Sequence, residues 1–176
     1  MIRCLSLYSG IGGMDRAARS AGMDVVAFCE SDPYCRSVLA LRHPGVPIYE
    51  RDTEVTSERL RSDGVFVELI MGGPPCQSAS SAGRRGGDTD ARWRWPEFIR
   101  IVGDVRPRWW VAENPTGILS LRHGSGERAF GGILGALSEV GYSVGWETVR
   151  ASDSGAPHRR ERVFVVGRRM ADAGGE

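Results

Sequence analysis

The chain has 176 residues, 41% of them hydrophobic and 26% charged, with a formal net charge of +1. That length and balance fit one globular domain with a sizeable core, and they exclude a disordered chain and one governed by a global basic field. All 23 basic residues are arginine, whose planar fork grips phosphate and carboxylate bidentately.

Ile2 to Tyr8 reads as a first strand, followed by the glycine loop Ser9-Gly10-Ile11-Gly12-Gly13. Met14, Ala17, Ala18 and Ala21 then fall at helical spacing, with Gly22 as the stop. Strand, glycine loop and helix form the first half of a nucleotide-type cofactor site, because glycine lets the backbone approach a ligand and a helix N-terminus favours negative charge. The loop is not a full Gly-x-Gly-x-x-Gly, and an ordinary tight turn fits the same letters.

Val25 to Glu30 reads as the second strand, and Glu30 closes it 20 residues after Gly10. An acid at that place is where a Rossmann-like fold bonds ribose hydroxyls. Asp32 caps the next helix, Pro33 enters its first turn, and Tyr34, Val38 and Leu41 give it an apolar stripe. Pro47-Ile48-Tyr49 is a short third strand with Asp52 just after it. In such a layout Asp52 is a candidate partner for an adenine amino group; by pattern alone it is a loop carboxylate.

Phe66 to Met71 predicts a buried fourth strand, stopped by Gly72-Gly73-Pro74-Pro75 ahead of Cys76. The prolines fix the backbone that carries the thiol, so Cys76 is expected to face a cleft as a nucleophile; a buried, inert cysteine is the alternative. The Ser78 to Gly87 segment is small and basic, and Arg84 and Arg85 are candidates to grip phosphates.

Trp93-Arg94-Trp95-Pro96 leads into a helix that carries Phe98, Ile101, Val102 and Val105 on one face. Trp109 to Glu113 is the fifth strand, ending in Glu113-Asn114-Pro115. Parallel neighbours bring their carboxyl ends to one crevice, so Glu113 and Cys76 are expected to share a site. Ala129 to Val140 is a helix closed by Gly141, and Tyr142 to Val149 and Val163 to Val166 are strands. Arg160 and Arg162, two apart on an extended segment, are expected to point together into the cleft. His158 suits hydrogen bonding better than metal ligation or base catalysis, since no partner cluster accompanies it.

The four cysteines, Cys4, Cys29, Cys35 and Cys76, form no Cys-x-x-Cys pair and no zinc template, so reduced thiols and no metal are expected. No signal peptide and no membrane-spanning run is apparent, which predicts a cytoplasmic protein.

Taken together, Ser9-Gly10-Ile11-Gly12-Gly13, Glu30, Asp52, Pro74-Pro75-Cys76-Gln77, Glu113-Asn114 and Arg160-x-Arg162 resemble, in order and spacing, the catalytic half of a C5-cytosine DNA methyltransferase. The resemblance runs from about Leu5 to Gly167. It implies an α/β, Rossmann-like S-adenosylmethionine-dependent methyltransferase fold: a mostly parallel, twisted sheet with helices on both faces. A catalytic domain over 1–170 and a short tail over 171–176 are expected.

The resemblance implies that Cys76 attacks cytosine C6, Glu113 holds or protonates N3, Arg162 contacts the flipped base and Arg160 helps hold the site. It assigns Tyr8, Ser9, Gly10, Gly12, Gly13, Glu30, Asp52 and Pro74 to the cofactor, S-adenosyl-L-methionine. Gln77, Ser78, Arg84, Arg85 and Asn114 go to the substrate, DNA, in a bacterial or phage-infected cell. Ala79, Pro115 and His158 depart from the family's usual Phe, Val and Gln.

The family's target-recognition region and last two motifs are absent, so a second polypeptide that carries the recognition region is an expected partner. Three other readings compete: a silent cofactor- or DNA-binding remnant or split subunit, an RNA cytosine methyltransferase, and a nicotinamide-linked oxidoreductase on a similar fold.

Overall fold

A computed structural model describes residues 1–75, 93–122 and 126–171. Its strands are β1 (Arg3–Leu7), β2 (Asp24–Cys29), β3 (Ile48–Tyr49), β4 (Leu69–Gly72), β5 (Trp109–Pro115), β6 (Tyr142–Arg150) and β7 (Glu161–Arg169). Its helices are α1 (Gly13–Ser20), α2 (Pro33–Arg42), α3 (Ser57–Ser62), α4 (Trp95–Val105) and α5 (Ala129–Glu139). The strands form one sheet in the order β3-β2-β1-β4-β5-β7-β6. The first five pair in parallel, and β7 runs antiparallel between β5 and β6. Strand order reverses between β1 and β4, the place where open α/β sheets hold ligands beyond their carboxyl ends.

Alternation along the central strands divides the core between the two faces of the sheet. Leu5, Leu7 and Ile70 join one cluster with Phe98 and Ile101 of α4 and Ile133 and Leu137 of α5. Cys4, Leu69 and Met71 join the other with Ala18 of α1 and Leu39 of α2. Helices therefore cover both faces, as the resemblance implies. The β1–β2 register shifts between Cys4 and Leu5, where Cys4 pairs with Val25 but Leu5 with Ala27. That irregularity puts Val25 and Phe28 on one face and Ala27 and Cys29 on the other.

Three local expectations change. The fourth strand begins at Leu69, because Phe66 sits outside the sheet, 57% exposed, under the Arg3 guanidinium at 4.3 Å from the ring centroid. Pairing of Cys4 with Leu69 sets that start. The Asp32 cap of α2 forms as expected, its carboxylate accepting from Cys35 N–H at 3.0 Å. The helix, however, buries Leu39, while Tyr34 and Leu41 are 71% and 84% exposed. The sequence stripe exists but lies on the face turned away from the sheet. Helix α3 went unread: Thr56 caps it through Arg59 N–H at 3.0 Å, and Leu60 anchors it in the core.

An aromatic ladder ties the later elements together. Trp95 meets Phe98 edge-on at 5.5 Å, Phe98 meets Trp110 at 5.9 Å, and Trp110 meets Tyr142 at 6.3 Å. The Tyr142 hydroxyl donates to the Pro107 carbonyl at 2.7 Å, and burial pushes its pKa up to about 12. Gly167 pairs directly with Trp110, and a Cβ there would lie within the indole ring. Gly167→Ala is therefore expected to lose about 1–3 kcal/mol of stability through overpacking. Urea unfolding followed by tryptophan fluorescence measures it; an unchanged midpoint and slope would show that the ring yields freely.

Candidate active site

The cofactor side is built on the turn after β1. Tyr8, Gly10 and Gly12 take positive φ values of 54°, 56° and 98°. A Cβ at Gly12 would lie 2.6 Å from Asp15 Oδ2, so only glycine fits there. Asp15 is buried in the first turn of α1 and meets His43 Nε2 at 3.3 Å. Burial lowers the His43 pKa, and Arg42 donates to the Ile11 carbonyl at 2.8 Å. The far end of α2 thus braces the glycine loop from beneath. Gly13 opens α1. Ser9 donates both its amide and its hydroxyl to backbone, to Cys29 O at 3.3 Å and Ser6 O at 2.9 Å. Both of its donors are thus engaged in shaping the loop.

Glu30 stands beside this loop. Its Oε2 accepts Gly10 N–H at 2.7 Å and its Oε1 accepts Asp32 N–H at 2.8 Å. Each oxygen keeps lone-pair capacity for a hydroxyl donor. Next to it opens a cavity of about 440 Å³, lined by Tyr8, Cys29, Glu30, Asp52, Pro75 and Arg94 among others. Burial pushes the Cys29 thiol up to about 12, which makes it a neutral wall. Asp52 is buried and bound bidentately by Arg94, with Nε to Oδ2 at 2.8 Å and Nη2 to Oδ1. The Tyr8 hydroxyl donates to the same Oδ2 at 2.9 Å, and burial together with Asp52 raises the phenol pKa.

Sequence reasoning missed Arg94. Its signal was the Trp93-x-Trp95-Pro96 block that fixes the start of α4. Pro75 rather than the expected Pro74 lines the cavity; Pro74 is buried and its carbonyl is engaged elsewhere.

The catalytic side gathers at the ends of β4 and β5. A Cβ on Gly72 would lie 2.6 Å from the Leu7 carbonyl oxygen. Gly73 lies against Glu113, whose Oε2 would be 3.3 Å from a Cβ there. Glu113 Oε1 forms an ion pair with Arg162 Nε at 2.6 Å, and both side chains are about a quarter exposed.

Asn114 is 1% exposed and donates from Nδ2 to the Pro74 carbonyl at 3.1 Å and to the Glu113 carbonyl. It ties the end of β5 to the turn after β4, and its Oδ1 has no hydrogen-bond partner among the described residues. Arg160 does not join Arg162. Its φ of 22° breaks the extended backbone just before β7, and the residue is exposed. The expected residues Cys76, Gln77, Ser78, Arg84 and Arg85 lie outside the described residues.

His158 is exposed. Cys4, Cys29 and Cys35 are free thiols. Among the described residues, no three His, Cys, Asp or Glu side chains gather as a metal site, and no helix is long and apolar enough to cross a membrane.

A sheet of this order, with a glycine loop after β1 and an acid after β2, defines a Rossmann-like S-adenosylmethionine-dependent methyltransferase. It superposes on S. pombe Dnmt2 methyltransferase with a TM-score of 0.72, at 22% identity over 100% of this chain and 53% of that one, a likeness of fold alone. The chain belongs to the C-5 cytosine-specific DNA methylase family, whose sequence model matches residues 2–173. The methyl donor of that family is S-adenosylmethionine.

The type II methyltransferase M.AquIA of Picosynechococcus sp. is 37% identical over 179 residues, covering 96% of this chain and 72% of the relative. M.FnuDI of Fusobacterium nucleatum is 38% identical over 168 residues, covering 94% of this chain but 46% of the relative. The chain thus spans most of the first and about half of the second.

Glu30→Ala is expected to weaken S-adenosylmethionine binding by about 1.5–3 kcal/mol, the scale of hydrogen bonds to a charged group. Titration calorimetry reads this directly, and unchanged affinity would remove Glu30 from the cofactor site.

Proposed function

We propose that the chain carries the catalytic machinery of a DNA cytosine-C5 methyltransferase, with Cys76 as nucleophile and Glu113 as its acid partner. The observation that carries this reading is Glu113, fixed by Arg162 and set against Gly73, three residues before Cys76. Cytosine C5 is a poor nucleophile until a thiolate adds to C6. Cys76 sulfur forms that bond, and the ring's electron pair shifts toward C5 while Glu113 holds or supplies the proton at N3.

S-adenosylmethionine supplies the methyl group that C5 takes. Loss of the C5 proton then returns electrons to the ring and breaks the bond to Cys76. Gly10, Gly12 and Glu30 are suited to the methionine and ribose parts of the cofactor, and Asp52 to its adenine. The free lone pairs of Glu30 and the cavity beside Asp52 fit that assignment. Arg162 orients Glu113 and borders the place of the flipped base. Gln77 and Ser78 are assigned to the substrate and Arg84 and Arg85 to phosphate. The compartment is the cytoplasm of a bacterial or phage-infected cell.

An oligonucleotide with 5-fluorocytosine in its target site is expected to trap a covalent adduct, because fluorine blocks the final elimination. Cys76→Ala is expected to form none on a denaturing gel. An adduct surviving in that variant would falsify the assignment.

We further infer that sequence reading resides on polypeptide beyond the described residues, on this chain's own continuation or on a second chain. The span of only 46% of M.FnuDI supports this. A specific DNA interface buries about 1,000–2,500 Å² of protein, and phosphate contacts alone give no sequence information. The 176-residue chain is expected to bind DNA in a salt-sensitive manner and to methylate slowly with little sequence preference. Bisulfite sequencing tests this; robust methylation confined to one short motif would overturn it.

A further inference from the structure

We infer that Arg94 is a positioning and specificity residue for the nucleoside end of the cofactor, acting through Asp52. The inference rests on the reading above that this cavity receives the adenine. An ionised carboxylate offers about four acceptor positions. Arg94 Nε and the Tyr8 hydroxyl take two on Asp52 Oδ2, at 2.8 and 2.9 Å, and Arg94 Nη2 takes one on Oδ1. Among the described residues, this leaves one acceptor position on Oδ1.

The Asp52 backbone is held as well, since its carbonyl accepts Arg100 Nη2 at 3.2 Å. The carboxylate therefore cannot turn to suit a different ligand. A ligand that brings one N–H donor is matched, and one that brings a carbonyl oxygen meets lone pairs head-on. The Asp52 side chain is 10% exposed and Arg94 33% exposed, so the pair forms part of the cavity wall rather than a solvated surface bridge.

Arg94 also fixes where that wall stands. Its amide donates to the Pro75 carbonyl at 3.4 Å, and its own carbonyl lies 3.4 Å from the Tyr8 hydroxyl, whose proton goes to Asp52. One residue thus joins the end of β4, the turn after β1 and the loop after β3. Without its guanidinium, Asp52 keeps only Tyr8 as a side-chain donor among the described residues and gains freedom to rotate or to be hydrated. The amino group of the ligand would then face a less directed acceptor.

Calorimetry on the full chain tests this with two ligands: S-adenosylhomocysteine, and its deaminated analogue, in which a carbonyl replaces the adenine amino group. The wild type is expected to prefer the amino ligand. Arg94→Gln is expected to weaken the amino ligand about tenfold and the analogue little, so the preference narrows. Arg94→Lys restores part of it, and Tyr8→Phe narrows it in the same direction with Arg94 intact.

Equal weakening of both ligands by Arg94→Gln would mean general loosening of the fold and would overturn the inference. So would an unchanged preference. If Arg94→Gln does not fold, the Lys and Phe variants decide by the same ratio. Failure of the wild type to bind S-adenosylhomocysteine would instead refute the cofactor reading itself.

Discussion

A parallel strand pair sets carboxyl end beside carboxyl end, and each of the five parallel strands here brings a residue of the site to that edge. Gly10 follows β1, Glu30 follows β2, Asp52 follows β3, Gly73 follows β4 and Glu113 lies near the end of β5. Between β1 and β4, Gly72 leaves no room for a Cβ against the Leu7 carbonyl. A side chain there would wedge apart the two strands whose following turns carry the cofactor loop and the approach to Cys76. The close approach of these two backbones brings the turn after β1 and the turn after β4 to one crevice.

Each of the site's carboxylates is tied before any ligand arrives. Backbone amides of Gly10 and Asp32 hold Glu30, Arg94 and Tyr8 hold Asp52, and Arg162 holds Glu113. Partial burial makes an unpaired charge costly, so these donors offset the loss of water. They also hold the carboxylates in place, so the acceptor positions that remain point in fixed directions. Binding then orders less of the protein, which is the usual benefit of a preorganised site.

The reversal of β7 has a chemical consequence. In the antiparallel register Glu113 lies opposite Phe164 and Arg162 lies opposite Pro115, so Glu113 and Arg162 are diagonal neighbours on one face. That is within reach of an arginine fork, and the pair closes at 2.6 Å. Arg160 lies outside this geometry because the strand has not yet begun at its position.

Much of this was legible in the sequence because it depends on local chemistry. Glycines mark the turn after β1, the Asp32-Pro33 pair marks the start of α2, and the order of motifs marks the family. Contacts between distant segments were not legible. Nothing near Arg94 in sequence indicates Asp52, 42 residues away, and nothing near Asn114 indicates the Pro74 carbonyl, 40 residues away.

The same limit explains α2. Periodicity reports that Tyr34, Val38 and Leu41 share a face, but only packing of the helix on the sheet decides that Leu39 is the side chain buried. The sequence by itself determined which residues carry charge, turn or thiol, because those are properties of single residues and short spacings. Tertiary structure alone decided which carboxylate meets which arginine, because strand register and helix docking set those distances.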